Sequence, residues 1–240
     1  MDYWSADELA ITALLLYSIT QLGKVIIAPS ILAADFSRLA EEIHHVEAAG
    51  ADWIHCDIMD GHFVDNISFG PEVVRLVRKE TNLPLDVHLM IEHADRYVPR
   101  FVKAGANSIT VHVEPEAKHD IRQTLQQIRD GGCRAGLTLN PETPIEMIKP
   151  FLSRFDMLLV MSVHPGFGGQ PFRAAQMEKV RRAAKWNESR KHTIDIEVDG
   201  GINPKTARIS IENGANVLVA GTSIFRSNDY AEAIRELRGE

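Results

Sequence analysis

From residue 24 onward, short apolar runs alternate with amphipathic stretches. The apolar runs cover 25–28, 53–57, 85–88, 108–112, 135–139, 157–161, 194–198 and 217–220. They are rich in Val and Ile and nearly continuous in hydrophobicity, as strands covered on both faces are. The stretches between and after them, 36–49, 71–80, 94–104, 119–130, 144–149, 171–188, 204–213 and 229–237, carry apolar residues at helical spacing. Several open with Pro, which suits a first helical turn. Gly50-Ala51, Gly105-Ala106 and Gly214-Ala215 follow the first, third and seventh of them, where Gly ends a helix before the next strand. Eight βα units predict an α/β fold, a single (β/α)8 (TIM) barrel over residues 24–240. The rival is an open doubly wound sheet, but its glycine fingerprint after the first strand is missing.

Residues 1–23 precede this pattern. The stretch 9–22 is mostly apolar, yet 14 residues fall short of the roughly 20 that a spanning helix needs. Residues 1–8 hold acids and no Lys or Arg, unlike a signal or transit peptide. Ser5-Ala6-Asp7-Glu8 reads as a capping box, so the expectation is an extra N-terminal helix, with a disordered tail as the alternative.

The length of 240 residues suits one barrel, for which about 250 is typical. A net charge of −7 leaves no electrostatic footprint for nucleic acid and little attraction to an anionic membrane. A phosphorylated ligand would therefore be gripped by local backbone amides. The two cysteines, Cys56 and Cys133, form no CxxC; they fit a reducing, cytoplasmic compartment.

Candidate chemistry gathers at the run ends. His55 and Asp57 are two apart on one strand, so they point the same way, roughly 6–7 Å apart. His88 and Asp199 end two other runs. Two imidazoles and two carboxylates suit one divalent first-row ion. The plainer reading is a buried ion pair; the convergence of four such groups at strand ends favours the metal. Glu197, one step deeper than Asp199, reads as a structural polar group.

Glycine-rich turns follow three neighbouring runs: Ser162-Val163-His164-Pro165-Gly166-Phe167-Gly168-Gly169-Gln170, then Gly200-Gly201, then Gly221-Thr222-Ser223. Glycines let backbone N–H groups approach an anion, and loops after strands seven and eight are the recurrent phosphate site of such barrels. Met59, Met90 and Met161, near the same mouth, read either as core filler or as an apolar floor beside the ion. Ser30 either touches a substrate or caps a turn. His44, His45, His93, His119 and His192 are expected to be solvated.

Taken together, Ala28-Pro29-Ser30-Ile31-Leu32, His55-Cys56-Asp57-Ile58-Met59-Asp60-Gly61-His62-Phe63, His88-Leu89-Met90, His164 to Gln170 and Val198-Asp199-Gly200-Gly201 strongly resemble the ribulose-phosphate 3-epimerase family. The resemblance runs from Lys24 to the C-terminus, in order and spacing. It implies a metal-dependent barrel of the ribulose-phosphate-binding type that interconverts D-ribulose 5-phosphate and D-xylulose 5-phosphate in the pentose phosphate pathway. It further implies that His55, Asp57, His88 and Asp199 hold one divalent ion (Zn, Fe, Co or Mn), with Asp57 and Asp199 as the acid/base pair. Ser30 and His88 would touch substrate, and Gly166, Phe167, Gly168, Gly169, Gly200, Gly201, Gly221 and Thr222 would hold it by its phosphate end. Met59, Met90 and Met161 would line the site. The resemblance also suggests a homo-oligomer. Asp65 and His164 depart from the family pattern, which usually has Pro and Asn there.

Epimerising a carbon beside a ketone needs a proton removed from one face and returned to the other, which two carboxylates can do. The nearest rival is an epimerase of another ketose phosphate, such as D-allulose 6-phosphate. A lyase of related barrels would carry Asp-x-Lys-x-x-Asp; here the run is Asp57-Ile58-Met59-Asp60, without the Lys. A non-catalytic phosphosugar-binding protein would be favoured if a base or ligand were missing, and none is.

Overall fold

The computed structural model describes residues 24–188 and 193–240. The expected N-terminal helix and His192 lie outside them. Eight strands form one parallel sheet: β1 (Ile26–Pro29), β2 (Ile54–Met59), β3 (Leu85–Met90), β4 (Ser108–His112), β5 (Arg134–Leu139), β6 (Met157–Met161), β7 (Asp195–Asp199) and β8 (Val217–Ala220). Their order is β1-β8-β7-β6-β5-β4-β3-β2. A parallel bridge between Ser30 and His55 brings β1 against β2, so the sheet all but closes into the expected barrel.

Helices pack outside it: α1 (Leu39–Ala48), α2 (Pro71–Glu80), α3 (Val98–Ala104), α4 (Ile121–Asp130), α5 (Met177–Glu188), α6 (Pro204–Glu212), the short α7 (Thr222–Phe225) and α8 (Tyr230–Arg238). Local chemistry sets their starts. Asp120, Asn203 and Asp229 accept N–H groups of the first turns of α4, α6 and α8, satisfying donors that a helix start leaves orphaned. The stretch 144–149, expected to be an amphipathic helix, instead enters a 3-10 helix, Ile145–Phe151, with Pro144 just before it. Pro150 lies inside it and has no N–H to donate, which suits a short tight turn better than a continuing α-helix.

Strand alternation splits the side chains into two sets. Outward residues such as Ile27, Ile54, Cys56, Leu85, Val87, Ile109, Leu137, Val160 and Val198 join the helices in one large apolar core. Each fully buried aliphatic side chain there contributes about 1.5–3 kcal/mol. The inward set is different. Ala28, Val217 and Val219 form a small apolar cluster, as do Leu159 and Met161 with Val163. Facing them are His55, Asp57, Asp86, His88, Ser108, Thr110, His112, Thr138 and Glu197, all buried. So much polar surface inside a barrel is costly without partners, and the partners of His55, Asp57, Asp86, His88 and His112 define the site.

Candidate active site

A pocket of about 280 Å³ opens at the C-terminal ends of the strands. Ser30 lies just past β1, Asp57 and Met59 near the end of β2, Met90 at the end of β3, Met161 at the end of β6 and Asp199 at the end of β7; all line it. Gly166, Phe167, Gly168, Gly169, Gly200, Gly201, Gly221 and Thr222 line it too. The three methionines thus reach the pocket, Met59 and Met90 packing with Val64 and Met161 with Leu159. Arg226, which the sequence reading did not single out, supplies the lone Lys or Arg side chain among the described lining residues.

His55 and His88 are fully buried and stand behind this wall. His88 therefore meets the pocket through Asp57 and presents no surface of its own. Asp57 Oδ1 lies 3.2 Å from His55 Nε2 and 3.1 Å from His88 Nδ1, and its Oδ2 accepts a 2.6 Å hydrogen bond from the Ser30 hydroxyl. Ser30 thus orients a carboxylate as well as facing the pocket. Asp199 is partly exposed to the pocket. Donor atoms of His55, Asp57, His88 and Asp199 all lie within 4.8 Å of one another.

The inner ends of the imidazoles are also held. His55 Nδ1 donates to Asp86 Oδ2 at 2.6 Å, and Asp86 Oδ1 accepts from Ser108 at 2.5 Å. His88 Nε2 lies 2.9 Å from His112 Nε2, and His112 Nδ1 lies 2.8 Å from Glu114. Glu197 sits 3.7 Å from His55 Nδ1. Asp86, His112 and Glu114 were not singled out from the sequence. The available signal was parity: Asp86 is two before His88, and His112 and Glu114 continue the inward set of β4. His119, expected to be solvated, is half-buried: its Nε2 donates to the His112 carbonyl and its Nδ1 lies 2.9 Å from the Thr124 hydroxyl. Its position beside the end of β4 gave it partners that a loop histidine would lack.

Electrostatics separates the two pocket carboxylates. Burial works against ionising Asp57, but the charge and hydrogen bond of the facing His55 lead the opposing effects and hold its carboxyl far below the usual range. Burial, reinforced by the charge of Asp57, pushes Asp199 up to about 7. Burial lowers His88 to about 4, leaving a neutral imidazole. Burial would lower His55 too, but Asp57 and Asp86 raise it well above the ordinary imidazole value. Burial, reinforced by the charge of Asp86, raises the Glu197 carboxyl well above its ordinary value. Glu114 is also opposed by burial, yet its bond to His112 brings it down to about 2.

This donor set fits a divalent ion. A tetrahedral ion with bonds of about 2.0–2.2 Å has ligand atoms some 3.3–3.6 Å apart, inside the 4.8 Å envelope. Two carboxylates this close repel, and a cation between them removes the penalty. Each imidazole has its far nitrogen held by a partner, as metal-binding histidines do.

The glycine turns are shaped by close approach. Gly200 and Gly201 adopt φ of 113° and 63°, and a Cβ on Gly201 would lie 2.7 Å from the Phe172 backbone nitrogen. Only glycine suits that backbone. Asn66 Nδ2 donates to the Gly166 carbonyl at 2.6 Å, tying the loop after β2 to the loop after β6 across the mouth. His164 Nε2 lies 3.1 Å from Glu142 in an exposed pair at the rim. Among the described residues, no helix is long and apolar enough to cross a membrane.

Residues 26–225 match the ribulose-phosphate 3 epimerase family. The chain is 50% identical over 214 residues to ribulose-phosphate 3-epimerase of Bacillus subtilis, covering 89% of this chain and 98% of that protein. It is 44% identical over 220 residues to the enzyme of that name from Escherichia coli K12, covering 91% and 97%. Among solved structures, a 3-hexulose-6-phosphate synthase from Salmonella typhimurium superposes with a TM-score of 0.66 at 16% identity, covering 89% of this chain and 97% of that one. That likeness establishes the barrel alone.

Proposed function

We infer that this chain, which belongs to the ribulose-phosphate 3-epimerase family, interconverts D-ribulose 5-phosphate and D-xylulose 5-phosphate, a step of the pentose phosphate pathway. The observation that carries the mechanism is one pocket lined by two carboxylates, Asp57 and Asp199, beside a rim of glycine-rich turns. Asp57 and Asp199 act as the acid/base pair: one takes the C3 proton from one face, the other returns a proton to the opposite face, and the roles swap in reverse. The opposed shifts of the two carboxyls suit that division of labour. The turns at Gly166–Gly169, Gly200, Gly201, Gly221 and Thr222 grip the phosphate through backbone N–H groups, with Arg226 nearby, and so hold C3 in place. Met59, Met90 and Met161 keep water from the carbanionic centre.

His55, Asp57, His88 and Asp199 would hold one divalent ion, with Zn, Fe, Co and Mn all compatible with N/O donors. When bound, such an ion supplies Lewis-acid stabilisation of the negative charge that builds on the substrate oxygens. We further propose a cytoplasmic protein, consistent with its two buried free cysteines, and a homo-oligomer.

A coupled assay on metal-replete protein tests the reading, with D-ribulose 5-phosphate and D-allulose 6-phosphate offered separately and a chelated sample as control. Chelator-sensitive formation of xylulose 5-phosphate is expected. Turnover of the six-carbon substrate alone would overturn the substrate assignment, and full activity after chelation would overturn the metal.

A further inference from the structure

Behind the pocket wall a second line of side chains runs from His88 into β4 and the turn after it. His112 is fully buried, and Phe63 covers its ring with centroids 4.5 Å apart. The His88 and His112 nitrogens are 2.9 Å apart, whereas their ring centroids are 5.1 Å apart and their planes within 25°. The rings therefore meet edge to edge, in the geometry of an N–H···N hydrogen bond. At such a contact one nitrogen carries the proton and the other does not.

Glu114 decides which. Its Oε1 accepts the Asn140 N–H and the Thr143 hydroxyl, both at 2.6 Å, and its Oε2 faces His112 Nδ1 at 2.8 Å. A carboxylate so placed takes donors on both oxygens, so His112 carries its proton on Nδ1. A His112 that carries a single proton then offers Nε2 as an acceptor, and His88 donates to it from its own Nε2. That leaves His88 Nδ1 as a bare lone pair, 3.1 Å from Asp57 Oδ1. A lone pair facing a carboxylate oxygen is repulsive unless a cation lies between or beside them.

We propose that His112 and Glu114 are positioning residues that fix His88 in the one tautomer and ring orientation able to ligate through Nδ1. This rests on the metal site proposed above. The line Glu114–His112–His88 serves the second imidazole as Asp86 serves the first, since Asp86 takes the Nδ1 proton of His55 and leaves its Nε2 for the cluster. The two imidazoles present opposite nitrogens to the ion, which is why each needs its own partner.

Glu114→Gln reverses the line. If the amide NH2 faces His112, it forces the proton onto His112 Nε2 and makes His88 Nε2 an acceptor, which puts the His88 proton on Nδ1, where the ion should be. If the amide is turned round, its NH2 opposes the Asn140 and Thr143 donors. His112→Phe removes the acceptor with little change in ring size and leaves a buried His88 N–H unpaired.

Two readouts on the full chain test this without turnover. The first is Zn²⁺ affinity by competition with a chromophoric chelator, measured for the wild type and both variants. Loss of a partner that orients a ligating histidine weakens metal binding about 10–100-fold, and both variants should fall in that range. The second needs no variant: long-range proton–nitrogen NMR of the zinc-loaded wild type, with labelled histidine, should show His88 protonated at Nε2 only. Unchanged affinity in both variants, or His88 protonated at Nδ1 in the loaded protein, would overturn the proposal while leaving the metal site standing. Failure of the wild type to bind Zn²⁺ or Co²⁺ would overturn the metal reading and this role with it.

Discussion

Asp57 is held at both oxygens in the pocket wall: one oxygen faces two imidazoles and the other takes the Ser30 hydroxyl. Asp199 has fewer partners, chiefly the Gly200 N–H, and opens on the same pocket. If they are the two bases, Asp57→Asn and Asp199→Asn should each lower kcat by at least the 10²–10⁴-fold that general acid–base catalysis supplies. The circular dichroism and urea midpoint should show a folded barrel in both. More than a few per cent of wild-type activity in each would contradict the scheme. Glu114 gives a pH prediction. Its folded carboxyl lies at about 2 against an ordinary 4.5, so its stabilisation is fully present above 4.5 and is lost as pH falls from there toward 2. The gap amounts to about 3 kcal/mol. Urea unfolding should show the wild type's advantage over Glu114→Gln shrinking across that window; a constant difference would contradict it.

At this scale the sequence was informative where a polar residue ended an apolar run. His55, Asp57, His88 and Asp199 stood out for that reason. His112 ends its run as well, but its partner Glu114 lies beyond the strand and its other partner, His88, lies on a neighbouring strand. Such a chain exists only once register is known. Asp86 was hidden similarly, inside an apolar run whose alternation placed it inward.

The elements themselves followed closely from hydrophobic patterning, because a parallel barrel strand is buried on both sides. The strand ends were less legible. Structurally β2 and β3 continue to Met59 and Met90, and β7 to Asp199. Polar site residues break the apolar run before the hydrogen-bonded ladder stops. The 3-10 helix Ile145–Phe151 shows a different failure: the amphipathic stretch 144–149 runs straight into Pro150, whose missing N–H favours a tight turn over an α-helix. The glycine-rich loop after β6 yields a clean test of the phosphate grip. A Cβ at Gly168 would meet no atom within 4 Å, and its backbone is not left-handed, so Gly168→Asp introduces charge without a clash. Two like charges about 4 Å apart repel by roughly 1–4 kcal/mol at effective dielectrics of 80 to 20. KM should therefore rise by about fivefold or more, with the unfolding midpoint within error of the wild type. An unchanged KM would contradict the assignment of this loop to the phosphate.

For the molecule as a whole, the division is between an outer apolar layer that holds the barrel shut and an inner polar layer that serves one end of it. The outer layer explains why the fold was readable from pattern alone; the inner layer is costly to bury and makes sense only with an ion and a reacting substrate at the mouth. The net charge of −7 adds nothing to attract an anionic sugar phosphate, so binding depends on the local cradle. The proposed reaction is proton transfer at C3 by two groups on opposite faces. Its most direct test is the conversion of D-ribulose 5-phosphate in heavy water by the metal-loaded protein, followed by NMR of the xylulose 5-phosphate formed early in the reaction. Product carrying deuterium at C3 is expected, because the proton returned comes from a carboxyl that exchanges with solvent and not from the one that received the substrate's proton. Product that keeps its original hydrogen at C3 would contradict it.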